Sequence, residues 1–219
     1  MTVTSNMTTD EAATGSPVKA AVVVRTIRAQ SRLRTSKKAV VAVQSALTYL
    51  LGEILDGART AATAEGKKKV LPKHVNSAVS TDSDLQHMTG TWIIRNGKTP
   101  RVARPDTAEQ ETRPESAGTG RKRSADVTSH QYRRTVKLIA RDKECLLATS
   151  TLDVLQTIAA EITAALAGGA GQAARNQSHD AVQAQDVRAA VEEWLTGELK
   201  AHTVRQIDTA LGKATQTAS

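Results

Sequence analysis

The chain has no phenylalanine, and aromatic residues make up only 2% of its 219 positions. The four rings, Tyr49, Trp92, Tyr132 and Trp194, are scattered along the sequence. Readers of single strands and of RNA stack bases on clustered rings, so the composition points away from them. A single cysteine, Cys145, excludes an internal disulfide framework and fits a reducing compartment; a small, semi-buried thiol is expected there. No apolar run approaches the roughly 20 residues a membrane span needs, and "MTVTSNMTTDEAATGS" has neither the basic start nor the apolar stretch of a secretory signal. A soluble, intracellular protein with no membrane partner is expected.

Chemistry-bearing patterns are also missing. His74, His87, His130, His179 and His202 form no metal-ligand spacing, so no metal is expected. There is no nucleophile–base arrangement and no pair of catalytic carboxylates. Gly168, Gly169 and Gly171 sit inside a helical pattern rather than after a strand, which makes a poor phosphate loop. Neither a cofactor nor an enzymatic role is expected.

What the chain does have is positive charge. Lys plus Arg number 30 against 22 Asp plus Glu, a net charge of +8. Through Arg104 the cations exceed the anions by nine, and beyond it they fall one short. The first half therefore dominates the attraction for a polyanion, and the lack of clustered rings makes a duplex backbone the better match.

Residues 1–16 are small, polar and slightly acidic, and are expected to be a disordered tail. A polar stretch at 99–129, with Pro100, Pro105 and Pro114, reads as a linker. It separates two units, 17–98 and 130–219, with the same plan: short helix, loop, long helix, loop, short helix. Apolar periods near three to four dominate without sustained alternation, so the class is all-α. In "KKAVVAVQSALTYLLGEILDGARTAATA" the apolar residues cover well over half the circumference, leaving a polar stripe through Ser45, Thr48, Gly52, Asp56 and Thr60. Two short helices cannot enclose such a rod, so each unit needs the other. The second rod, "TLDVLQTIAAEITAALAGGAGQAARN", is similar but carries the three glycines, each costing about 1 kcal/mol relative to Ala. Either close packing offsets them or the helix bends there.

Three helices with a long central one, occurring twice, resemble the paired histone fold. "LTYLLGEILDGARTAATAEGKKKVLPKHV" is similar to the central helix, second loop and third helix of histone two-A, and "STDSDLQHMTGTWIIRNG" to its acidic turn, following helix and docking strand. "LTGELKAH" resembles the start of the last helix of histone two-B. The whole resembles the fused core-histone doublets of large DNA viruses. That resemblance implies two histone folds in one chain, paired as an intramolecular handshake pseudodimer, with an extra C-terminal helix on each half.

The resemblance also implies roles for particular residues. In a histone pair the first loop of one fold lies beside the second loop of the other, and both face DNA. Lys67, Lys68 and Lys69 fall in such a second loop, followed by Lys73, while Arg34, Thr35, Lys37 and Lys38 surround the start of the first long helix. Lysines in a first turn oppose the helix dipole, unless a phosphate sits over the terminus. Arg25 and Arg28, one turn apart, face the backbone by resemblance, and Arg34 matches the family's minor-groove arginine, a mode for which the histone octamer is the standing example. In the second half Arg133, Arg134, Thr149 and Ser150 are the DNA-binding candidates. Its second loop, "QSHDAV", lacks the family's cations, and Asp180 with Gln183 reads as a capping box. Arg121, Lys122 and Arg123 resemble the basic tail segment of histone two-B, or serve nuclear import. Glu53, Asp56, Asp82, Asp84 and Glu198 match an acidic patch that receives basic segments, weakened because Thr48, Ser83 and Gln206 replace carboxylates; Asp82 and Asp84 equally suit a helix start.

The function implied is that of an architectural core histone packaging double-stranded DNA. Its partners would be histone-three-like and histone-four-like proteins, themselves possibly fused, and a second copy of the chain. It would act in chromatin, whether in a host nucleus, a viral replication compartment or a virion. A histone-fold scaffold subunit of a transcription complex is the alternative.

Overall fold

A rod that is apolar on most sides is stable only when covered on most sides. The computed structural model, which describes residues 16–89, 92–93, 101–102 and 130–216, draws that cover from both halves of the chain. The first half runs α1 (Ala20–Ser31), β1 (Arg34–Thr35), α2 (Lys37–Ala64), β2 (Lys69–Val70), α3 (Pro72–Thr81) and α4 (Ser83–Thr89). Strands β3 (Trp92–Ile93) and β4 (Arg101–Val102) form an antiparallel pair. The second half has a 3-10 turn (His130–Tyr132), α5 (Arg133–Asp142), β5 (Leu146–Leu147), α6 (Thr149–Asn176), β6 (Ala181–Val182), α7 (Ala184–Trp194) and α8 (Gly197–Gln216).

The halves repeat with a constant spacing of 112 residues: Arg34 recurs as Leu146, Lys37 as Thr149, Lys69 as Ala181 and Pro72 as Ala184. The left-handed backbone positions repeat too, at Arg32 and Glu144 (φ 58° and 51°) and at Gly66 and Ser178 (φ 67° and 57°). Both loops are thus built alike in each half.

The two units clasp each other. Helix α1 packs on α6, and α5 packs on α2. Strand β1 pairs in parallel with β6, setting Arg34 opposite Ala181, and β2 pairs in parallel with β5, setting Lys69 opposite Leu146. The amide of Ser36 donates to the Val182 carbonyl (3.0 Å) and that of Ala148 to Val70 (3.1 Å). The first loop of each unit lies beside the second loop of the other, as the resemblance implies.

One continuous core results. Leu47, Leu50, Leu51, Ile54 and Leu55 of α2 and Leu155, Ile158, Ile162 and Leu166 of α6 are each at most 1% exposed and belong to the same cluster. Burying one such side chain is worth about 1.5–3 kcal/mol, so parting the units would expose a large apolar face. Helix α8 covers the polar stripe of α2. There the Ser45 hydroxyl donates to the Gln206 carbonyl (2.9 Å), and the Tyr49 ring stacks on His202 with centroids 6.3 Å apart.

Several expectations need correction. The all-α class stands, but the loop pairs and β3–β4 add two-residue bridges too short to show alternation. Ala181 and Val182, at the end of the second loop "QSHDAV", are β6, because β1 supplies them with backbone partners. Strand β4 lies inside the expected linker, and Trp92–Ile93 of the docking segment pairs with it. All of the expected 1–16 tail but Ser16, and Arg121, Lys122 and Arg123, lie outside the described residues. Although unbroken apolar runs are short, α2 and α6 are each 28 residues long, with mean hydropathy of 1.3 and 1.2 in their most apolar windows. By length and composition they could cross a membrane, but 67% and 61% of those windows are buried within the protein.

Close packing accounts for Gly169 and Gly171 within an unbroken α6, but not for Gly168. A Cβ on Gly169 would stand 2.9 Å from that of Ala190, and one on Gly171 2.5 Å from that of Ser31, whereas one on Gly168 would meet nothing. In the first half Gly57 meets Ala78 at the position equivalent to Gly169 and Ala190.

Candidate nucleic-acid interface

The clasp brings the basic positions to its two ends. At the β1–β6 end, Arg34, Lys37 and Lys38 are exposed and Thr35 is half-buried. Helix α2 begins there with Ser36 as its cap, the hydroxyl accepting from the Ala39 amide (3.1 Å), and its first turn contains no acid. At the β2–β5 end, Lys67, Lys68 and Lys69 are exposed beside Thr149 and Ser150. Helix α6 starts here from Ala148, which offers no side-chain cap, again with no acid in the first turn. The Val70 carbonyl instead receives the Ala148 amide and the Thr151 hydroxyl (2.8 Å). Each terminus therefore carries the positive end of a helix dipole without an acidic side chain in its first turn. The lysines at both ends, and Arg34, come from the first half.

Among the described residues, Arg28, Arg34, Lys37, Lys38, Lys67, Lys68 and Lys69 have no carboxylate partner. Other candidates are engaged within the protein. Lys73 binds Glu65, Arg133 pairs with Asp153 (3.2 Å), and Arg25 donates to the Gln131 side chain (3.3 Å). The Lys73 bond, with that of His74, holds the exposed Glu65 carboxyl below its ordinary pKa. Arg134 is exposed on α5.

Two arginines were missed. Arg59 of α2 donates to the Lys143 carbonyl (2.9 Å) and pairs with Glu144 (3.5 Å), while Arg175 of α6 donates to the Ser31 carbonyl (3.1 Å). Their signal was a cation near the end of each long helix, where the other half's first loop offers carbonyls. Arg59 also lines a cavity of about 430 Å³ with Lys67, Lys68, Cys145 and Leu146.

The five acidic positions separate into different jobs. The charges of Glu53, Asp82 and Glu198 act on the Tyr49 hydroxyl. Burial first, then those carboxylates, push the Tyr49 pKa well above its usual value. Asp56 is bound by Lys143, whose pKa rises chiefly through that bond, and Glu53 adds to the rise. Lys143 lies across Gly52, where a Cβ would stand 3.2 Å from its Cε. Asp82 caps α4, accepting from the amides of Asp84 and Leu85 (both 2.9 Å). Asp84 accepts from the Leu199 amide (3.2 Å) and the Thr196 hydroxyl (3.4 Å), capping α8 of the other half.

The capping box expected from Asp180 and Gln183 is made differently. Gln183 is itself the cap, so its partner is Asp186 three residues on, which accepts the Gln183 amide (2.7 Å). Asp186 is fully buried and also bonds His179 (3.0 Å). The equivalent position of the first half holds His74, buried, whose Nδ1 accepts from the Leu71 amide (3.0 Å). Its proton is thus on Nε2, 3.2 Å from Glu65. Cys145 is buried, and that burial raises its thiol pKa.

No protein-family model matches the chain. It is 42% identical over 88 residues to a histone two-A of Encephalitozoon cuniculi, covering 40% of this chain and 69% of that one. It is 30% identical over 95 residues to a histone two-A of Meyerozyma guilliermondii, covering 43% and 68%. Against the Z form of histone two-A from Lodderomyces elongisporus the figures are 29% over 75 residues, with 34% of this chain and 56% of that relative spanned. The crystal structure of the histone from Methanopyrus kandleri superposes with a TM-score of 0.54 at 15% identity, covering 83% of this chain and 98% of that one. The fold is therefore the histone fold, and the chain belongs to the histone two-A family.

Proposed function

We propose that the chain is an architectural core histone that packages double-stranded DNA, one polypeptide doing the work of a two-A and two-B pair. The observation that carries this reading is the cross-pairing of loops, which holds Arg34, Lys37 and Lys38 at one end and Lys67, Lys68 and Lys69 at the other. Like charges fixed on strands and helix starts repel one another, and a polyanion relieves that repulsion. Lysines on loops and helix starts suit phosphates, whose contacts position a protein on the duplex without reading its sequence. DNA wrapping without base readout follows. The two units are 17–98 and 130–219, joined through 99–129.

The remaining surface supports partners in the same setting. Histone-three-like and histone-four-like proteins would dock on the second half's α7 and on the β3 segment, and a second copy would complete a nucleosome-like particle. Its place is chromatin, in a host nucleus, a viral replication compartment or a virion. Glu53 and Glu198 retain an acidic surface, reduced by the engagement of Asp56, Asp82 and Asp84.

Titration of the full chain against unrelated duplexes at several salt concentrations tests the reading. Near-equal affinities with a steep logarithmic salt dependence are expected. A marked preference for one sequence would overturn it in favour of a transcription-complex subunit. Assembly with histone-three-like and histone-four-like proteins on DNA should then protect a discrete fragment from nuclease.

A further inference from the structure

We propose that Arg59 and Arg175 are positioning residues of the DNA interface, each holding the first loop of the opposite half in the attitude that a duplex meets. The assignment rests on the packaging reading and adds two residues that reading does not use. Both act through the loop they grip.

Arg59, near the end of α2, donates from Nη1 to the Lys143 carbonyl (2.9 Å), and Arg175, near the end of α6, donates from Nη1 to the Ser31 carbonyl (3.1 Å). Ser31 and Lys143 are separated by the 112-residue spacing of the repeat, so both guanidiniums grip the same carbonyl of the two halves. The arginines themselves are not equivalent. At that spacing Arg59 corresponds to Gly171, and Arg175 to Thr63. Repetition of the sequence therefore does not supply the contact; each seam makes it with a different residue. Packing explains the offset of one turn. Gly171 admits α1 so closely that a Cβ there would fall 2.5 Å from that of Ser31, which leaves no room for a long side chain. The carbonyl ends α1 in one half and caps α5 in the other, and a helix C-terminus favours a cation.

The grip completes a hold at two points. Beyond the carbonyl the chain turns through a left-handed residue, Arg32 or Glu144, and enters the strand. At the far end of the loop the amide of Ser36 or Ala148 donates to the second loop of the opposite half. The segments 32–36 and 144–148 are thus each stretched between two fixed points on the other half. The first carries Arg34 and leads into Lys37 and Lys38, and the second leads into Thr149 and Ser150. A loop released at one point would have to be ordered when a duplex binds, and that cost is subtracted from affinity.

The test reads hydrogen exchange of the Ser36 and Ala148 amides in the full chain, and its affinity for a mixed-sequence duplex. Arg59→Gln should quicken exchange at Ala148 about three- to tenfold, the effect of one lost hydrogen bond, and leave Ser36 unchanged. Arg175→Gln should do the reverse. Each should weaken duplex binding about two- to tenfold, since the freed loop is ordered on binding. Arg188→Gln, which removes a guanidinium bound to Glu192 and Asp208, should quicken neither amide. Quickening of both amides by one variant would mark a general loss of stability and overturn the proposal. So would weaker binding with unaltered exchange, which would make the arginine a phosphate ligand, and quickened exchange with unaltered binding. If a Gln variant melts below the working temperature, Arg59→Lys and Arg175→Lys, which keep a donor without the planar fork, give the same two readings. Absence of salt-dependent duplex binding by the wild type would instead remove the packaging reading itself, so the two failures are distinguishable.

Discussion

The carboxylate of Asp84 occupies the space that a side chain at Gly197 would fill, and from there it caps the first turn of α8. Gly197 has φ +56°, a conformation that L side chains rarely adopt. A residue near the end of one half thus fixes the start of the last helix of the other.

Gly197→Ala should therefore destabilise the protein by about 1–3 kcal/mol, from backbone strain and the displaced carboxylate. Asp84→Ala should cost about 1 kcal/mol through loss of the cap. Urea unfolding of both variants checks the order of the two effects.

The glycines of α6 should respond with opposite signs. Gly168→Ala meets open space and should stabilise by up to about 1 kcal/mol. Gly169→Ala and Gly171→Ala press on Ala190 and Ser31 and should destabilise, Gly171→Ala the more because its Cβ would fall 2.5 Å from that of Ser31. Thermal melting of the three variants under one buffer decides this.

Among the lysines of the β2–β5 end, pairing sets the prediction. Replacing Lys67, Lys68 and Lys69 together with Gln should make the logarithmic salt slope of duplex binding shallower, by up to about 0.9 for each lost phosphate contact. Lys73→Gln should change it less, since that ammonium already binds Glu65. An unchanged slope in the triple variant would remove this loop from the interface.

Glu65 gives a pH dependence of definite sign. Its folded pKa is lowered by Lys73 and His74, so the unfolded chain binds the proton more readily. The stabilising contribution is present above the ordinary carboxylate range and is lost as pH falls through the folded value. Glu65→Gln should flatten the acid side of the stability–pH curve, read by denaturant melts across that range.

The helical framework was legible because long apolar periods and small punctuating residues are local signals; α2 runs over the bounds its pattern marked, Lys37–Ala64. The pairing of halves was legible from the surplus of apolar surface on α2 together with the histone resemblance. Strand β6 was not, because Ala181 and Val182 become extended only by meeting Arg34 and Thr35, far away in sequence. Nor were the separate roles of the acids. Asp56 and Asp84 look alike in sequence, yet one is met by Lys143 and the other by the start of α8. Tertiary partners, not residue type, divide them.

The crossed strands carry a liability as well as a strength. Since the β1–β6 and β2–β5 bridges are each woven from one loop of either half, a single-residue insertion in one of those loops would slip the register on both sides of its seam. Lesions would then come in twos: a length change near Lys69 would also disturb Leu146, and one near Arg34 would also disturb Ala181.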